Sequence, residues 1–303
     1  MPETDQTATV RVQSSPREVD LVTRLDRRPA AQVNLCEPPQ VVAHRGDSRS
    51  EPEHTLAAYR RAIDAGADAL ECDVRLTADG HLVCVHDRRV DRTSNGTGLV
   101  STLELTQLEG LDWGSWRELS GGQEPDAVEE PDVVEPGDRA QLLTLRKLLH
   151  LVADSPGMQV AIETKHPTRY GGLVERRLVE TLEHFGWAHP TPDRPSPVRV
   201  MSFSLLALRR MRQLAPGLSL VFLADRMLPL LRDGSLPRGV HTAGIGVDLL
   251  REHPDLPHRL HQRGHQVHVW TVDEPDDVRR CLDAAVEAII TNRPGQVLRQ
   301  LGR

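Results

Sequence analysis

The sequence has few cysteines, and they are scattered. They are Cys36, Cys72, Cys84 and Cys281, and no two of them form a CxxC pair. Because zinc knuckles and thioredoxin-type sites need that spacing, neither is indicated. Cys72 and Cys84 lie in apolar, strand-like runs, where a free buried cysteine is common. We therefore expect all four thiols to be reduced.

An excess of positive charge and long apolar runs are also absent. The net charge is −7, so the chain offers no global basic field for nucleic acid. No run approaches the ~18 apolar residues of a membrane-spanning helix. Residues 1–20 lack the apolar core of a secretory signal. These absences predict a cytoplasmic protein with no nucleic-acid partner and no stable membrane insertion, and they leave its oligomeric state open.

What is present is an ordinary globular composition, with 38% hydrophobic and 27% charged residues. Residues 1–39 are polar, charged and aperiodic, and we interpret them as a flexible arm. Over residues 40–303, short β-rich runs alternate with runs whose apolar residues recur at helical spacing. This alternation is typical of βα units around a parallel sheet.

The number of candidate strands, eight, is the number that closes a (β/α)8 TIM-type barrel. These strands are predicted at residues 41–44, 69–73, 159–163, 198–202, 218–223, 243–248, 266–271 and 288–291. Helices are predicted at residues 55–65, 144–152, 174–185, 205–214 and 276–286. The predicted fold is therefore one catalytic α/β barrel.

One segment interrupts the alternation after the second strand. Asp79-Gly80 lies between two extended runs, which is a strong signal for a β-hairpin. Because a hairpin reverses direction, its second run cannot be the next parallel strand, and we predict an insertion over about residues 74–140. Its later part, residues 120–138, is acidic and rich in glycine and proline, which indicates a mobile surface loop.

Two carboxylates end the second strand. Glu71 and Asp73 are two residues apart and therefore share a face of the strand. About 6–7 Å apart in a barrel interior, they would repel each other and be costly to desolvate. A hard divalent cation, Mg²⁺ or Ca²⁺, removes both penalties by binding carboxylate oxygens. The alternative is a surface strand with one polar face.

The hairpin brings a histidine toward these acids. A two-residue turn pairs Ala78 with His81, and counting outward pairs Asp73 with His86. Directly opposed residues have Cβ atoms ~5 Å apart, so His86 is expected beside the metal site. A one-residue bulge would change this register, and the alternative for His86 is a strand end in solvent.

Two more strands end in chemically useful pairs. Glu163 and Lys165 share a face, which offers a third carboxylate and an ammonium group for phosphate. His44 fits a general acid/base, and Arg45 fits a bidentate phosphate clamp. Singly, each pair is also explained as a polar strand end. Together, at the strand ends where barrel active sites lie, they predict a metal-assisted phosphate site.

Trp270 is one of only nine tryptophan, tyrosine and phenylalanine residues. It is predicted to pack against the carbon atoms of a substrate or to form a wall of the pocket, and a core tryptophan is the alternative. His268 shares the face of Trp270, but is also explained as a packed core residue.

Seven segments, in order along the chain, resemble the glycerophosphodiester phosphodiesterase family. They are AHRGDSRSEPEHT (43–55), ALECDVRLTADGHLVCVHD (69–87), DRTSNGTG (91–98), VAIETK (160–165), VMSFS (200–204), VHVWTV (267–272) and AIITNRP (288–294). The resemblance covers roughly residues 40–300 and implies a barrel with a small insertion after its second strand. It also implies roles for residues already singled out: metal binding for Glu71, Asp73 and Glu163, acid/base chemistry for His44 and His86, and phosphate binding for Arg45 and Lys165.

Three positions in segments 43–55 and 288–294 bear on how the site is supported. Glu53 matches the acid of the family's Pro-Glu-Asn-Thr segment and is expected to support the metal ligands. His54 stands where the family usually has Asn, and Asn292 where it usually has Asp. Neither is expected to be a ligand or an acid/base, so these two departures concern loop anchoring or substrate fit.

The reaction expected from residues and resemblance is hydrolysis of a glycerophosphodiester to an alcohol and glycerol 3-phosphate. One histidine would take the proton of the glycerol 2-hydroxyl and the other would protonate the leaving oxygen, in an order the sequence leaves open. One alternative is a lysophospholipase D, which would need an apolar groove or a membrane-facing loop, and the acidic stretch argues against an anionic bilayer. Another is a non-catalytic phosphate-binding barrel, against which both histidines argue.

Overall fold

A computed structural model of the protein describes residues 38–119, 136–168 and 171–303. The predicted flexible arm therefore lies outside the described residues up to position 37, as do residues 120–135 of the predicted acidic loop. Both assignments stay predictions.

Eight parallel strands form a closed barrel, because the first strand pairs with both the second and the last. A ninth, short strand pairs antiparallel with the second. The strands are β1 (Gln40–His44), β2 (Ala69–Leu76), β3 (Leu82–Cys84), β4 (Gln159–Thr164), β5 (Val198–Ser202), β6 (Ser219–Ala224), β7 (Thr242–Gly246), β8 (Gln266–Trp270) and β9 (Ala288–Thr291). The predicted (β/α)8 barrel is confirmed.

Helices surround the barrel and occupy the segment after β3. They are α1 (Leu56–Asp64), α2 (Leu105–Glu109), α3 (Trp116–Leu119), α4 (Pro136–Ala140), α5 (Leu145–Ala153), α6 (Leu173–His184), α7 (Leu205–Leu214), α8 (Val247–Glu252), α9 (Leu256–Gln262), α10 (Pro275–Asp283) and α11 (Pro294–Gln300). Helices α1, α5 and α7 begin after Thr55, Thr144 and Ser204, whose hydroxyls accept a hydrogen bond from a first-turn backbone N–H.

The barrel buries apolar side chains on both faces of its strands, as a parallel sheet requires. The outer face packs against the helices, and the inner face holds a small separate cluster that includes Val42, Ala69, Ala161 and Ile290. The polar residues of β1, β2 and β4 follow directly on this apolar layer.

The hairpin is present, but its predicted register is wrong by one residue. Val74 pairs with Cys84 and Leu76 with Leu82, which places Val85 opposite Asp73. The turn has three residues between Thr77 and His81, because Gly80 adopts a left-handed φ of 87° and closes the bulge. His86 is therefore not the direct partner of Asp73.

The segment between β3 and α5 has its own small core. Val83, Val90, Leu108, Trp113 and Leu142 belong to a cluster separate from the barrel. Helix α4 begins at Pro136, so the last residues of the predicted acidic loop, 136–138, are helical instead. Their composition suggested a loop, but Arg139 pairs with the buried Glu51 at 2.7 Å and fixes this end.

Strand β7 ends earlier than predicted. The strand predicted at residues 243–248 stops at Gly246, and helix α8 begins at Val247. An apolar run shared by a strand and a helix cannot be divided from periodicity alone. Within the described residues, no helix is long and apolar enough to cross a membrane.

Candidate active site

The predicted acids meet at the C-terminal ends of β2 and β4. The strand register pairs Asp73 with Glu163, and Glu71 lies two residues earlier on the same face as Asp73. One carboxylate oxygen from each of the three lies within 4.8 Å of the other two. All three side chains are buried. The structure thus brings together the three acids that the sequence predicted as metal ligands.

Electrostatics at this cluster favour a bound cation. Burial, and then the charge of Asp73, raise the pKa of Glu71 well above its usual range. The same two causes raise the pKa of Glu163 to about 7. Burial would also raise the pKa of Asp73, but Lys165, His54 and Arg45 outweigh it and hold that pKa well below its usual range. Three buried carboxylate oxygens therefore fit a hard divalent cation, which would relieve the repulsion between them.

Two basic side chains contact the acids from opposite sides. The ammonium of Lys165 lies 2.9 Å from Asp73 Oδ1 and 2.9 Å from Glu163 Oε2. The backbone N–H of Arg45 donates to Glu71 Oε2 at 3.1 Å. The Arg45 Nε lies 3.1 Å from Asp73 Oδ2, and its Nη1 donates to Glu53 Oε1 at 3.1 Å. Both cations are therefore held at the rim of the acid cluster.

The two histidines differ in what holds them. The Nδ1 of His44 lies 2.7 Å from the amide oxygen of Asn292, and its Nε2 lies 3.9 Å from Glu71 Oε2. Burial, helped by Arg45, lowers the pKa of His44 to about 3. The Nδ1 of His86 lies 2.7 Å from a carboxylate, that of Asp87. Burial also lowers the pKa of His86, although its side chain is 34% exposed.

Asn292 was expected to affect only loop anchoring or substrate fit, yet it contacts His44 directly. Its Nδ2 donates to Asp273 Oδ2 at 2.6 Å, which turns its Oδ1 toward His44 and the Ser48 hydroxyl. Because that oxygen only accepts, the proton of neutral His44 lies on Nδ1, and Nε2 faces the cavity with a lone pair.

His54 is the second departure from the family pattern, and it also reaches the cluster. With a left-handed φ of 60°, it points its Nε2 to Asp73 Oδ2 at 2.9 Å. Its Nδ1 lies 2.8 Å from the hydroxyl of Tyr59, which donates to the backbone oxygen of Glu71 at 3.0 Å. The expectation that His54 concerns only loop anchoring or substrate fit therefore misses a direct contact with a candidate ligand.

Glu53 lies between two arginines. It accepts hydrogen bonds from Arg45 at 3.1 Å and from both terminal nitrogens of Arg92 at 2.8 Å. Arg92 also donates to Asp87 at 2.6 Å. A chain of ion pairs thus connects the carboxylate beside His86 with the arginine beside Asp73, and Glu53 is its centre.

The cluster opens into a cavity of about 190 Å³. Its lining residues are His44, Arg45, Glu71, His86, Glu163, Lys165, Met201, Phe203, Leu223, Trp270, Thr271 and Ile290. Both histidines, both basic residues and Trp270 thus face one space.

The indole of Trp270 is fixed within this wall. Its Nε1 donates to the backbone oxygen of Gly244 at 3.0 Å, and its ring stacks edge-to-face on Phe203 with 5.5 Å between centroids. His268 is almost fully buried deeper in the barrel and does not line the cavity. Its alternative interpretation, a packed core residue, fits that position.

Comparison with known proteins identifies the family. A model of the glycerophosphoryl diester phosphodiesterase family matches residues 44–296. The chain belongs to this family. It is 46% identical, over 85% of its length and 90% of the relative's, to a Mycobacterium tuberculosis protein named "probable glycerophosphodiester phosphodiesterase 1". It is 31% identical to the glycerophosphodiester phosphodiesterase of Caldanaerobacter subterraneus, over 84% of this chain and 94% of that one.

Solved structures share the fold. A phosphodiesterase from Oleispira antarctica, in complex with its product sn-glycerol-3-phosphate, has a TM-score of 0.71 at 22% identity, covering 88% of this chain and 97% of that one. A glycerophosphodiester phosphodiesterase from Parabacteroides distasonis has a TM-score of 0.67 at 23% identity, covering 87% and 97%. These structures show the barrel fold, and the phosphodiesterase activity follows from the family match and from the 46% identical relative.

Proposed function

We propose that this enzyme hydrolyses glycerophosphodiesters to an alcohol and glycerol 3-phosphate, at a site that uses one divalent cation, Mg²⁺ or Ca²⁺. The observation that carries the proposal is the cavity itself. Two buried acids, Glu71 and Glu163, line one space together with Arg45, Lys165 and both histidines. The third acid, Asp73, has a carboxylate oxygen within 4.8 Å of an oxygen of each of the other two. Acids, bases and phosphate-binding cations at this density are hard to explain as solvated strand ends.

Glu71, Asp73 and Glu163 are the residues that would hold the cation. When bound, such an ion polarises phosphate oxygens and neutralises charge that develops in the transition state. Arg45 and Lys165, which contact the acids and line the cavity, would bind phosphate oxygens from the two sides of the cluster.

The contacts of the two histidines favour different roles. His44 presents a lone pair on Nε2 and is supported by a neutral amide, so we assign it as the base that takes the proton of the glycerol 2-hydroxyl. His86 is supported by a carboxylate, which stabilises an imidazolium, so we assign it as the acid. The 2-oxygen forms a bond to phosphorus, the bond to the leaving oxygen breaks, and that oxygen takes the proton of His86.

The second half-reaction uses the same pair in reverse. His86, now neutral, accepts a proton from water while the water oxygen bonds to phosphorus. In the cyclic phosphate that the first half-reaction forms, the bond between phosphorus and the 2-oxygen breaks, and that oxygen receives the proton from His44. Glycerol 3-phosphate results, and both histidines return to their starting states. Trp270 would contact the glycerol carbons, and Glu53 would keep Arg45 oriented.

The test is a hydrolysis screen of the purified protein. Glycerophosphocholine, glycerophosphoethanolamine and glycerophosphoinositol would each be incubated with Mg²⁺, Ca²⁺ or a chelator, and glycerol 3-phosphate would be measured. We expect release of glycerol 3-phosphate with a metal and loss of activity with chelator. Release of a phosphorylated alcohol and free glycerol, or full activity in chelator, would contradict the proposal.

A lysophospholipase D activity is the second candidate, and one observation favours it. Phe203, Leu205 and Leu206 are large apolar residues that are 40%, 49% and 60% exposed, and Phe203 lines the cavity beside Trp270. An exposed apolar strip at the mouth could accommodate an acyl chain. Adding lysophosphatidylcholine to the screen tests this candidate, since turnover at a rate comparable to glycerophosphocholine would support it.

A further inference from the structure

A second pocket adjoins the catalytic cavity, and its charged lining is basic. We call it the basic pocket and define it by Arg75, Arg88 and Lys165. It has a volume of about 50 Å³ and opens to solvent between β2, the segment after β3 and the start of α6. Among its lining residues in the described part of the chain, none is a carboxylate. Lys165 pairs with Asp73 and Glu163, but among the described residues neither Arg75 nor Arg88 forms an ion pair with a carboxylate.

The strand register creates this pocket. Because Asp73 pairs with Glu163, the residues two positions further along, Arg75 and Lys165, lie side by side on the same face. The backbone N–H of Lys165 donates to the oxygen of Val74, which continues the register to this point. The two strands thus carry a pair of acids, Asp73 and Glu163, and two residues later a pair of basic side chains. Lys165 lines both the catalytic cavity and the basic pocket.

The basic pocket lies next to His86. Arg75 donates from Nε at 2.9 Å and from Nη2 at 2.6 Å to the backbone oxygen of His86. Arg88 follows two residues later and is exposed. Arg75 and Arg88 both line the basic pocket. Two guanidinium groups held together in this way are an arrangement that a bound anion stabilises.

We propose that the basic pocket binds a phosphate monoester carried by the leaving alcohol, so that the enzyme favours glycerophosphodiesters whose alcohol is itself phosphorylated. This inference rests on the proposed function, in which His86 protonates the leaving oxygen. The pocket borders the catalytic cavity at Lys165 and at the His86 backbone, so an alcohol whose leaving oxygen faces His86 can extend its far end toward Arg75 and Arg88. The exposed guanidinium of Arg88 can offer two N–H groups to two phosphate oxygens. Arg75 can add an N–H that does not bind the His86 oxygen, and Lys165 lines both sites.

The test compares two substrates that differ by one phosphate, glycerophosphoinositol and glycerophosphoinositol 4-phosphate. The measured quantity is the ratio of their kcat/KM values, which cancels every contact that the two substrates share. Arg88 is the residue to change because its side chain is exposed and, within the described part of the chain, forms no hydrogen bond or ion pair with His86 or Asp87. The variants are Arg88→Gln and Arg88→Glu, with Arg89→Gln as a matched control, since Arg89 is also exposed but pairs with Asp91.

In the parent enzyme we expect the phosphorylated substrate to be preferred about tenfold, as one charge-assisted contact allows. Arg88→Gln should remove most of that preference, Arg88→Glu should invert it, and Arg89→Gln should keep it. A ratio near one in the parent, or a ratio that both Arg88 variants leave unchanged, would overturn the inference.

A binding measurement separates this inference from the proposed function. Inositol 4-phosphate would be titrated calorimetrically into the parent and into Arg88→Gln. If the parent hydrolyses neither diester, the proposed function fails, while weaker binding in the variant would still support the pocket. Equal binding by both proteins would overturn the pocket even if both diesters are hydrolysed.

Discussion

The mouth of the barrel has two unlike halves. The ends of β1, β2 and β4, together with His86 after β3, carry the ionisable groups of the cavity. The ends of β5, β6, β8 and β9 contribute Met201, Phe203, Leu223, Trp270 and Ile290. We call these the charged half and the apolar half. The charged half concentrates ionisable groups that are oriented by hydrogen bonds and ion pairs, including the amide of Asn292 beside His44. The apolar half supplies shape. We infer that rate depends mainly on the first and substrate fit mainly on the second.

The largest effect is expected in the charged half. His44→Ala and His86→Ala should each lower kcat by ~10²–10⁴, the usual contribution of a general acid or base. His189→Ala is the control, because His189 is exposed and pairs only with Glu183 in the described structure. Melting temperatures of all three variants should stay close to that of the parent. A variant that folds and keeps near-normal kcat would remove that histidine from the mechanism.

Asn292 should have a smaller effect in the same half. Asn292→Ala removes the oxygen that orients His44, and we expect kcat to fall about 10–100-fold, as for other groups that orient a reacting side chain. Combined with His44→Ala, it should add almost nothing, since both changes disable one unit. Additive losses in the double variant would show that Asn292 acts by another route.

The apolar half should respond in KM. Trp270→Leu removes the edge-to-face contact with Phe203 and opens the wall of the cavity. We expect kcat/KM for glycerophosphocholine to fall about tenfold, mostly through KM, because this wall binds the ground state and the transition state alike. The measurement is steady-state kinetics over a full substrate range. A kcat loss as large as that of the histidine variants would erase the distinction between the two halves.

The smallest effect is expected outside both halves. Replacing residues 120–135 with a short Gly-Ser link, while keeping α4 from Pro136, should leave the melting temperature within a few degrees. Retaining α4 matters because Asp138 pairs with Arg60 and Arg139 pairs with Glu51. Loss of cooperative unfolding would show that the acidic stretch is part of the folded structure. A changed preference among diesters would show that it limits access to the mouth.

Sequence patterns predicted the barrel well because parallel strands are buried on both faces and are read as apolar runs. The same periodicity could not tell where β7 becomes α8 at Gly246. The hairpin was predicted from Asp79-Gly80, but its register depended on the conformation of Gly80, which no pairing rule specifies from two residues.

At the site, the two-residue spacing placed Glu71 and Asp73 on one face of β2, and the meeting of parallel strand ends at one edge of the barrel brought Glu163 beside them. The same two-residue spacing places Arg75, two residues after Asp73, on the same face of β2, so Arg75 was also predictable from the sequence. His54 and Asn292 were missed as direct contacts because their positions depend on a left-handed backbone and on β9 closing the barrel beside β1. Contacts of that kind arise from tertiary structure and leave no local pattern.

The central claim is that the three acids of the charged half hold one divalent cation. Calorimetric titration of metal-stripped protein with Mg²⁺ and with Ca²⁺ tests it most directly, with Glu71→Gln beside the parent. Asp277→Asn is the control, since it changes a buried acid in α10 that pairs with Arg251. Glu71→Gln should also melt in chelator at or above the parent temperature, because it removes a carboxylate that burial and Asp73 destabilise.

We predict that the parent and Asp277→Asn each bind one ion per chain, and that Glu71→Gln binds at least about tenfold more weakly. Absence of binding by the parent, or equal affinity in Glu71→Gln, would contradict the account.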